Sequence, residues 1–152
     1  MSYYLNFYSM TPAQLERLPP DTGSVTSFIR ENGAPIGEMH FSAGDAWFFF
    51  DELEQALELP FGRLLEGPVG VVDPPEEPPF FGGLPNATAL LAIDELKSLL
   101  QHDDRAELEP NIAGIADELG WTADTTRDHI SQLRILLEKA SSDGRDAATV
   151  YE

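Results

Sequence analysis

Side chains near the start of the chain alternate in polarity with a period of two. Leu5 and Phe7 lie on one side of this alternation and Asn6 lies on the other, with tyrosines on both sides. Aromatic residues that repeat in this way fit the pleated, half-buried surface of a sheet. The pattern predicts a strand over residues 2–9, and a second apolar run predicts a closing strand over 147–151.

The next segments repeat their apolar residues every three to four positions, which is typical of amphipathic helices. Thr11, Pro12 and Gln14 form a capping box with proline at the first helical position. We therefore expect a short helix that begins here and ends before Pro19. Residues 24–31 predict a second short helix.

The most apolar helical segment is AWFFFDELEQAL, residues 46–57. We expect Ser42 or Asp45 to cap this helix and its inner face to lie at the centre of the core. Its inward stripe comprises Ala46, Phe50, Leu53 and Leu57, widened by Trp47 and Phe49.

Three further helices are predicted in the second half of the chain. One covers residues 92–101, where Leu and Ile residues recur at helical spacing, and another covers 112–119. The last begins after Thr122 or Asp124, which are good capping residues, and ends near Gly144.

The composition changes between residues 62 and 85, a segment with five glycines and six prolines. These residues exclude a regular helix through most of the segment, which predicts an extended loop. Phe80 and Phe81 lie within it. Two roles are open for these rings, packing onto the core or contact with a ligand, and packing is the commoner role of such aromatic residues.

These elements predict a single α+β domain over residues 1–152, with helices packed on a small, mainly antiparallel sheet that includes both chain ends. The length suits one domain. A hydrophobic content of 42% supplies a core despite the high charge.

The chain carries 27 Asp and Glu against 9 Lys and Arg, a formal charge of -18. Such a surface repels phosphate backbones and anionic lipids and attracts basic proteins. We therefore expect no nucleic-acid and no membrane partner. Acidity that serves only solubility, or that reflects a bias of the lineage, is the alternative. No apolar stretch reaches the length of a membrane span, and cysteine is absent, which together favour a cytoplasmic location.

One local pattern imitates a DNA-binding helix-turn-helix, formed by the last two predicted helices and the turn at Gly120. Its DNA-contacting side chains would be Thr125, Thr126, Arg127, His129 and Arg134. The segment from Asn111 to Leu137 has two arginines, no lysine and several carboxylates. Because phosphate neutralisation requires cations, this function is disfavoured.

No metal, cofactor or catalytic residue is predicted. His40, His102 and His129 are far apart and show no zinc-binding spacing. The run His102-Asp103-Asp104 lacks the glycine and distal glutamate of a calcium loop. The nucleophile elbow, the Walker loop and the dinucleotide fingerprint are also missing from the sequence.

The order of segments resembles the YfbM-like family of uncharacterised bacterial proteins. The similar segments are TPAQLERL after an aromatic strand, GDAWFFFDEL, FGGLPNATALLAIDELKSLL and HISQLRILLEKASSDGRDAATVYE. The resemblance implies a compact α+β domain without an assigned activity. The family tends to have a histidine around the tryptophan-containing helix, whereas residues 45–50 of this chain contain none, so a site that used such a histidine would be absent.

The charge pattern favours a non-enzymatic interaction protein that docks a basic partner, such as an immunity or inhibitor protein that neutralises a cationic toxin. The expected docking residues lie on the outer face of the central helix and in the following loop. They are Asp51, Glu52, Glu54, Glu58, Glu76 and Glu77.

The alternative hypothesis is a small-molecule-binding or hydrolytic domain with a pocket under the 62–85 loop. His40, Trp47, Phe80 and Phe81 are the residues expected to line that pocket.

Overall fold

A computed structural model describes residues 2–15, 17, 22–42, 44–65, 79–102 and 109–152. Four antiparallel strands form one sheet in the order β2-β1-β4-β3. The strands are β1 (Ser2–Met10), β2 (Ala34–Ser42), β3 (Phe80–Leu84) and β4 (Asp146–Tyr151). The predicted α+β class is confirmed, because helices pack on one antiparallel sheet. The sheet includes both ends of the chain as β1 and β4, as predicted.

The helices correspond to the predicted ones, but the fourth begins at Asn86, six residues before the predicted start at residue 92. They are α1 (Pro12–Leu15), α2 (Thr22–Asn32), α3 (Asp45–Leu57), α4 (Asn86–Gln101), α5 (Ile112–Leu119) and α6 (Ala123–Ala140), with 3₁₀ helices at Phe61–Leu64 and Ser142–Gly144. The capping box is confirmed, because the Gln14 amide donates to Thr11 Oγ1 at 3.2 Å and the Thr11 amide donates to Gln14 Oε1 at 2.9 Å. Thr122 caps α6 by accepting from the Thr125 amide at 3.1 Å.

The cap predicted for α3 is wrong. Gly44, rather than Ser42 or Asp45, precedes its first turn, with a left-handed φ of 84° and no side-chain hydrogen bond. Asp45 instead lies in the first turn, where a carboxylate interacts favourably with the helix dipole.

The sheet separates two hydrophobic cores. Leu5 and Phe7 of β1 face the larger core, where α3, α4, α5 and α6 contribute most of the buried side chains. Met10 faces the smaller core, which α2 covers with Val25 and Ile29. Alternate residues of one strand therefore serve different cores, as the period of two requires.

Strand β4 lies between β1 and β3, and all six of its residues are buried. Its polar side chains bond to the backbone of neighbouring elements. Thr149 Oγ1 donates to the Leu64 carbonyl at 2.6 Å, and Asp146 Oδ1 accepts from the Asn86 amide at 2.6 Å. These two bonds fix the first 3₁₀ helix and the start of α4 against the centre of the sheet.

The loop predicted over residues 62–85 is wrong at both ends. Its start lies in the 3₁₀ helix Phe61–Leu64, and its end forms strand β3. Residues 66–78 are outside the described part of the chain. Phe81 is buried under α2 and Phe80 packs against the larger core, which confirms the packing role expected for these rings.

Gly82 is one reason why the sequence predicted a loop where strand β3 lies. A Cβ atom on Gly82 would lie 2.1 Å from the Arg63 carbonyl oxygen and 2.5 Å from the Leu64 carbonyl carbon. Glycine is required because the backbone of the 3₁₀ helix packs directly on the strand.

Replacing Gly82 with alanine tests this close approach. Because both obstructing atoms are backbone, the strand or the 3₁₀ helix has to shift, and we expect Gly82→Ala to lower the free energy of unfolding by about 2 kcal/mol or more. Urea unfolding measures the change. Gly114→Ala in α5 is the control, where a gain in helix propensity opposes mild crowding and the change stays within about 1 kcal/mol. A Gly82→Ala protein as stable as the parent would contradict the packing.

A carboxylate network joins α4 to α6. Glu138 accepts from Lys97 and from Arg134, each at 3.0 Å. The hydrogen bond from Lys97 is the main cause of a lowered Glu138 pKa, with the charge of Arg134 adding to it against partial desolvation.

Glu138→Gln should therefore destabilise the protein at neutral pH. A carboxyl whose pKa is lowered on folding contributes stability above its unfolded pKa, and this contribution is lost as the pH falls through the folded value. Since the group is about one-third exposed, we expect a loss of roughly 0.5–1 kcal/mol at pH 7 that becomes smaller near pH 3. Urea unfolding at both pH values checks this, and equal losses at the two would disprove the ionic origin.

Candidate functional site

The outer surface of α3 combines an exposed aromatic ring with carboxylates. Phe49, Phe50 and Leu53 are buried in the larger core. Phe48 points away from them and is 67% exposed, the highest value among the large hydrophobic residues described. Single exposed apolar side chains are common on protein surfaces, so Phe48 is a candidate contact residue because of the carboxylates and hollows beside it.

The predicted acidic face divides into two flanks on either side of Phe48. Successive residues of a helix are rotated by about 100°, which places Asp51 and Glu54 on one flank and Glu52 on the other. Glu58 follows the helix as its C-cap residue, with a left-handed φ of 56°. Asp51 and Glu58 are exposed, and Glu52 and Glu54 are half-buried. Glu76 and Glu77, the remaining predicted docking residues, lie outside the described residues.

The first flank borders a hollow of about 560 Å³ between α3 and the 3₁₀ helix Phe61–Leu64. We call it the aromatic hollow. Its lining includes Trp47, Phe48, Asp51, Glu54 and Arg63. Glu54 Oε1 accepts from the Gly62 amide at 3.2 Å, which ties the 3₁₀ helix to α3 and sets the width of the hollow.

A row of rings across the sheet supports Trp47. Its indole lies 5.3 Å from the Phe80 ring in an edge-to-face arrangement. Phe80 stacks on Tyr151 at 6.1 Å, and Tyr151 stacks on Tyr3 at 5.3 Å. Because Tyr151 is buried in the central strand, the wall of the hollow that Trp47 provides is held by the fold.

The second flank borders a hollow of about 430 Å³ between α3 and the segment that begins α5. We call it the glutamate hollow, since Glu52, Glu109 and Glu118 all line it. The pKa of Glu52 is raised, chiefly by burial and further by the charges of Glu118 and Asp51. The carboxylates around α3 therefore repel one another in the free protein.

The four residues expected to form one pocket do not come together. Trp47 and Phe80 are in contact on the face of the sheet that lies against the larger core. His40 pairs with Tyr4 on the opposite face, with ring centroids 5.1 Å apart, and Phe81 lies in the small core under α2. The side of the sheet on which His40 lies follows from the register of strand β2, which pairs it with Tyr4 of β1. The sequence pattern did not predict strand β2.

Arg63 and Phe48 are the residues of this surface that sequence reasoning missed. Phe48 falls opposite the apolar stripe of α3, so helical periodicity alone was sufficient to find it. Arg63 had no such signal, because its position depends on the 3₁₀ helix packing beside α3.

The side chains of the helix-turn-helix pattern have other contacts. Thr126 is buried and bonds to the Thr122 carbonyl at 3.0 Å. Arg127 pairs with Asp124, and Arg134 pairs with Glu138. His129 packs against three aromatic rings, with Nδ1 2.9 Å from the Thr125 carbonyl oxygen. The rings are Phe41, Phe49 and Trp121, at centroid distances of 5.3, 5.7 and 4.8 Å.

Among the described residues, no three His, Asp or Glu side chains are placed to share a metal ion. His102 is the C-cap residue of α4, and Asp103 and Asp104 are outside the described part of the chain. No described helix is both long and apolar enough to cross a membrane.

Comparisons with protein-family models, with curated proteins and with solved structures give no match to this chain. Membership of the YfbM-like family stays a prediction from the sequence.

Proposed function

We propose that this protein is a non-enzymatic docking protein that binds a basic partner protein through the outer surface of α3. The exposed Phe48 ring, with one acidic hollow on each side, is the observation that carries the proposal. Neutralisation of a cationic toxin, as an immunity or inhibitor protein, is the specific role we propose for it.

The arrangement has the composition of a binding hot spot. An aromatic anchor that is buried on association supplies most of the affinity in many interfaces, while surrounding polar groups exclude water. Phe48 has the exposure to act as the anchor. Asp51 and Glu54 on one side and Glu52 on the other provide a rim with more negative than positive charge, with Arg63 as the cation of the aromatic hollow.

Electrostatics favours a cationic partner over other kinds. The formal charge of -18 accelerates encounter with a basic protein. Locally, the pKa of Glu52 is raised first by burial and then by the charges of Glu118 and Asp51, so these carboxylates repel one another in addition to the cost of burial. An approaching cation relieves that repulsion, so binding energy is available at this surface that neutral partners do not obtain.

The alternative, a small-molecule-binding or hydrolytic domain, receives less support, because His40 and Trp47 of its expected pocket lie on opposite faces of the sheet. The absence of nucleic-acid binding and a cytoplasmic location stay predictions from the charge and the composition.

Loss of the aromatic anchor should weaken binding without a change in charge. We expect Phe48→Ala to reduce affinity for a dye-labelled arginine–leucine peptide about tenfold or more, because an anchor ring contributes 2 kcal/mol or more in many interfaces. Leu91→Ala on α4 is the matched control, since Leu91 is 58% exposed and lies away from α3. Fluorescence anisotropy measures both dissociation constants.

The same peptide tests the placement of the charges. Asp51→Asn combined with Glu54→Gln should weaken binding about tenfold, whereas Asp94→Asn combined with Glu95→Gln, an equal change in net charge on α4, should change it about twofold at 0.15 M salt. Equal effects of the two pairs, together with no effect of Phe48→Ala, would mean that the peptide follows net charge alone and would refute docking on α3.

Glu52→Gln should stabilise the free protein and weaken binding together. A carboxyl whose pKa is raised on folding contributes stability below its unfolded pKa, and the contribution is lost as the pH rises through the folded value. We therefore expect the glutamine variant to gain roughly 0.2–0.5 kcal/mol at pH 7 and nothing near pH 3. Urea unfolding and peptide affinity are measured on one preparation. A variant that is less stable at pH 7, or that binds more tightly, contradicts the proposal.

A further inference from the structure

The aromatic hollow combines two kinds of group that recognise one side chain. Trp47 and Phe48 provide aromatic rings, and Asp51 and Glu54 provide two carboxylates on the same flank of α3. Its volume of about 560 Å³ lies within the range of roughly 300–1,000 Å³ usual for ligand pockets. The hollow is therefore large enough to take a long side chain completely.

We propose that the aromatic hollow is a subsite for a single arginine side chain of the partner. The guanidinium group packs against the rings of Trp47 and Phe48 and pairs with Asp51 and Glu54. This inference rests on the proposed docking function and names the residue type that the docking surface selects.

The carboxylates keep hydrogen-bonding capacity for an incoming cation. Glu54 uses Oε1 for the Gly62 amide, and Asp51 uses Oδ2 for the Gln55 side chain at 2.8 Å. A carboxylate has about four acceptor sites on its two oxygens. These internal bonds hold both groups in place and leave most acceptor sites available.

The charge of the hollow matches one monovalent cation. Asp51 and Glu54 contribute two negative charges, and the exposed Arg63 contributes one positive charge. One negative charge remains for the partner. Arg63 consequently limits the affinity of the subsite, because it competes for the same carboxylates and repels a second guanidinium.

Arginine fits this hollow better than lysine. Its guanidinium is planar, stacks on aromatic rings and offers five donors in fixed directions, so that it can contact rings and two carboxylates together. A lysine ammonium is a compact and strongly hydrated charge that gains less from the rings. The proposed subsite is therefore expected to bind arginine more tightly than lysine, although the two side chains carry the same charge.

The experiment compares two peptides that differ only in an arginine-to-lysine exchange, each carrying one leucine for Phe48. The protein carries Trp121→Phe, which keeps a ring on Phe49 and leaves Trp47 as the single tryptophan reporter. Trp47 fluorescence and dye anisotropy are followed during titration. We expect the arginine peptide to bind about fivefold or more tightly than the lysine peptide and to shift the Trp47 emission.

Two variants make the test independent of folding defects. Arg63→Gln removes an exposed side chain from the hollow and should tighten arginine-peptide binding about threefold or more. Trp47→Leu, used in a protein that retains Trp121, should abolish the preference for arginine. Thermal unfolding verifies that Trp47→Leu is folded, and Trp47→Phe, which keeps an aromatic ring, should preserve part of the preference.

The outcomes separate this inference from the docking function. Equal affinity for the two peptides, with Arg63→Gln without effect, would overturn the arginine subsite while Phe48-dependent binding leaves docking intact. Failure of both peptides to bind, or binding that ignores Phe48→Ala, would overturn both. Selective arginine binding that Arg63→Gln strengthens supports the subsite.

Discussion

The burial of strand β4 on both faces and along both edges is the constraint on which the rest of the structure depends. A strand in this position must satisfy its polar groups from neighbouring elements, since water is excluded. Thr149 does so through the Leu64 carbonyl, and Asp146 does so through the Asn86 amide. Each bond that satisfies β4 therefore fixes another element in space.

The candidate site inherits its geometry from this strand. Thr149 holds the 3₁₀ helix that carries Arg63, and Tyr151 begins the row of rings that ends at Trp47. The two walls of the aromatic hollow thus originate from neighbouring side chains of one buried strand. Binding sites formed on rigid elements lose less conformational entropy on association, which makes this surface suited to recognition.

The acidic surface of α3 opposes stability at the proposed docking site. The Lys97 hydrogen bond lowers the pKa of Glu138 in the network between α4 and α6, whereas burial, with the charges of Glu118 and Asp51, raises the pKa of Glu52 on α3. Proteins commonly retain such locally unfavourable arrangements at functional sites. The contrast between α6 and α3 within one chain is the energetic argument for a function on α3.

Periodicity in the sequence predicted the elements that bury one clear face. Helix α3 and strand β1 were found because their buried residues repeat at fixed spacing. Strand β2 was missed because Pro35 and Gly37 interrupt its pattern and only Met39 and Phe41 are buried. Strand β3 was missed because Gly82 is required by a contact with the backbone of the 3₁₀ helix. That contact joins residues far apart in sequence, so no local pattern encodes it.

The candidate site could be predicted only in part for the same reason. Helical spacing placed Asp51, Glu52 and Glu54 on the outside of α3, as the structure confirms. Their division between two hollows depends on α5 and on the 3₁₀ helix packing at either side. Tertiary contacts of this kind combine residues far apart in sequence, so residue spacing does not contain them.

The central claim is that α3 presents the binding surface of this protein, and a residue-resolved titration tests it most directly. Amide and indole chemical shifts of the ¹⁵N-labelled protein would be followed while the arginine peptide is added. The account predicts saturable changes concentrated at Trp47, Phe48 and the first turns of α3, with α4 unchanged. Changes centred on α4 or α6, or small changes spread evenly over all acidic positions, would contradict it.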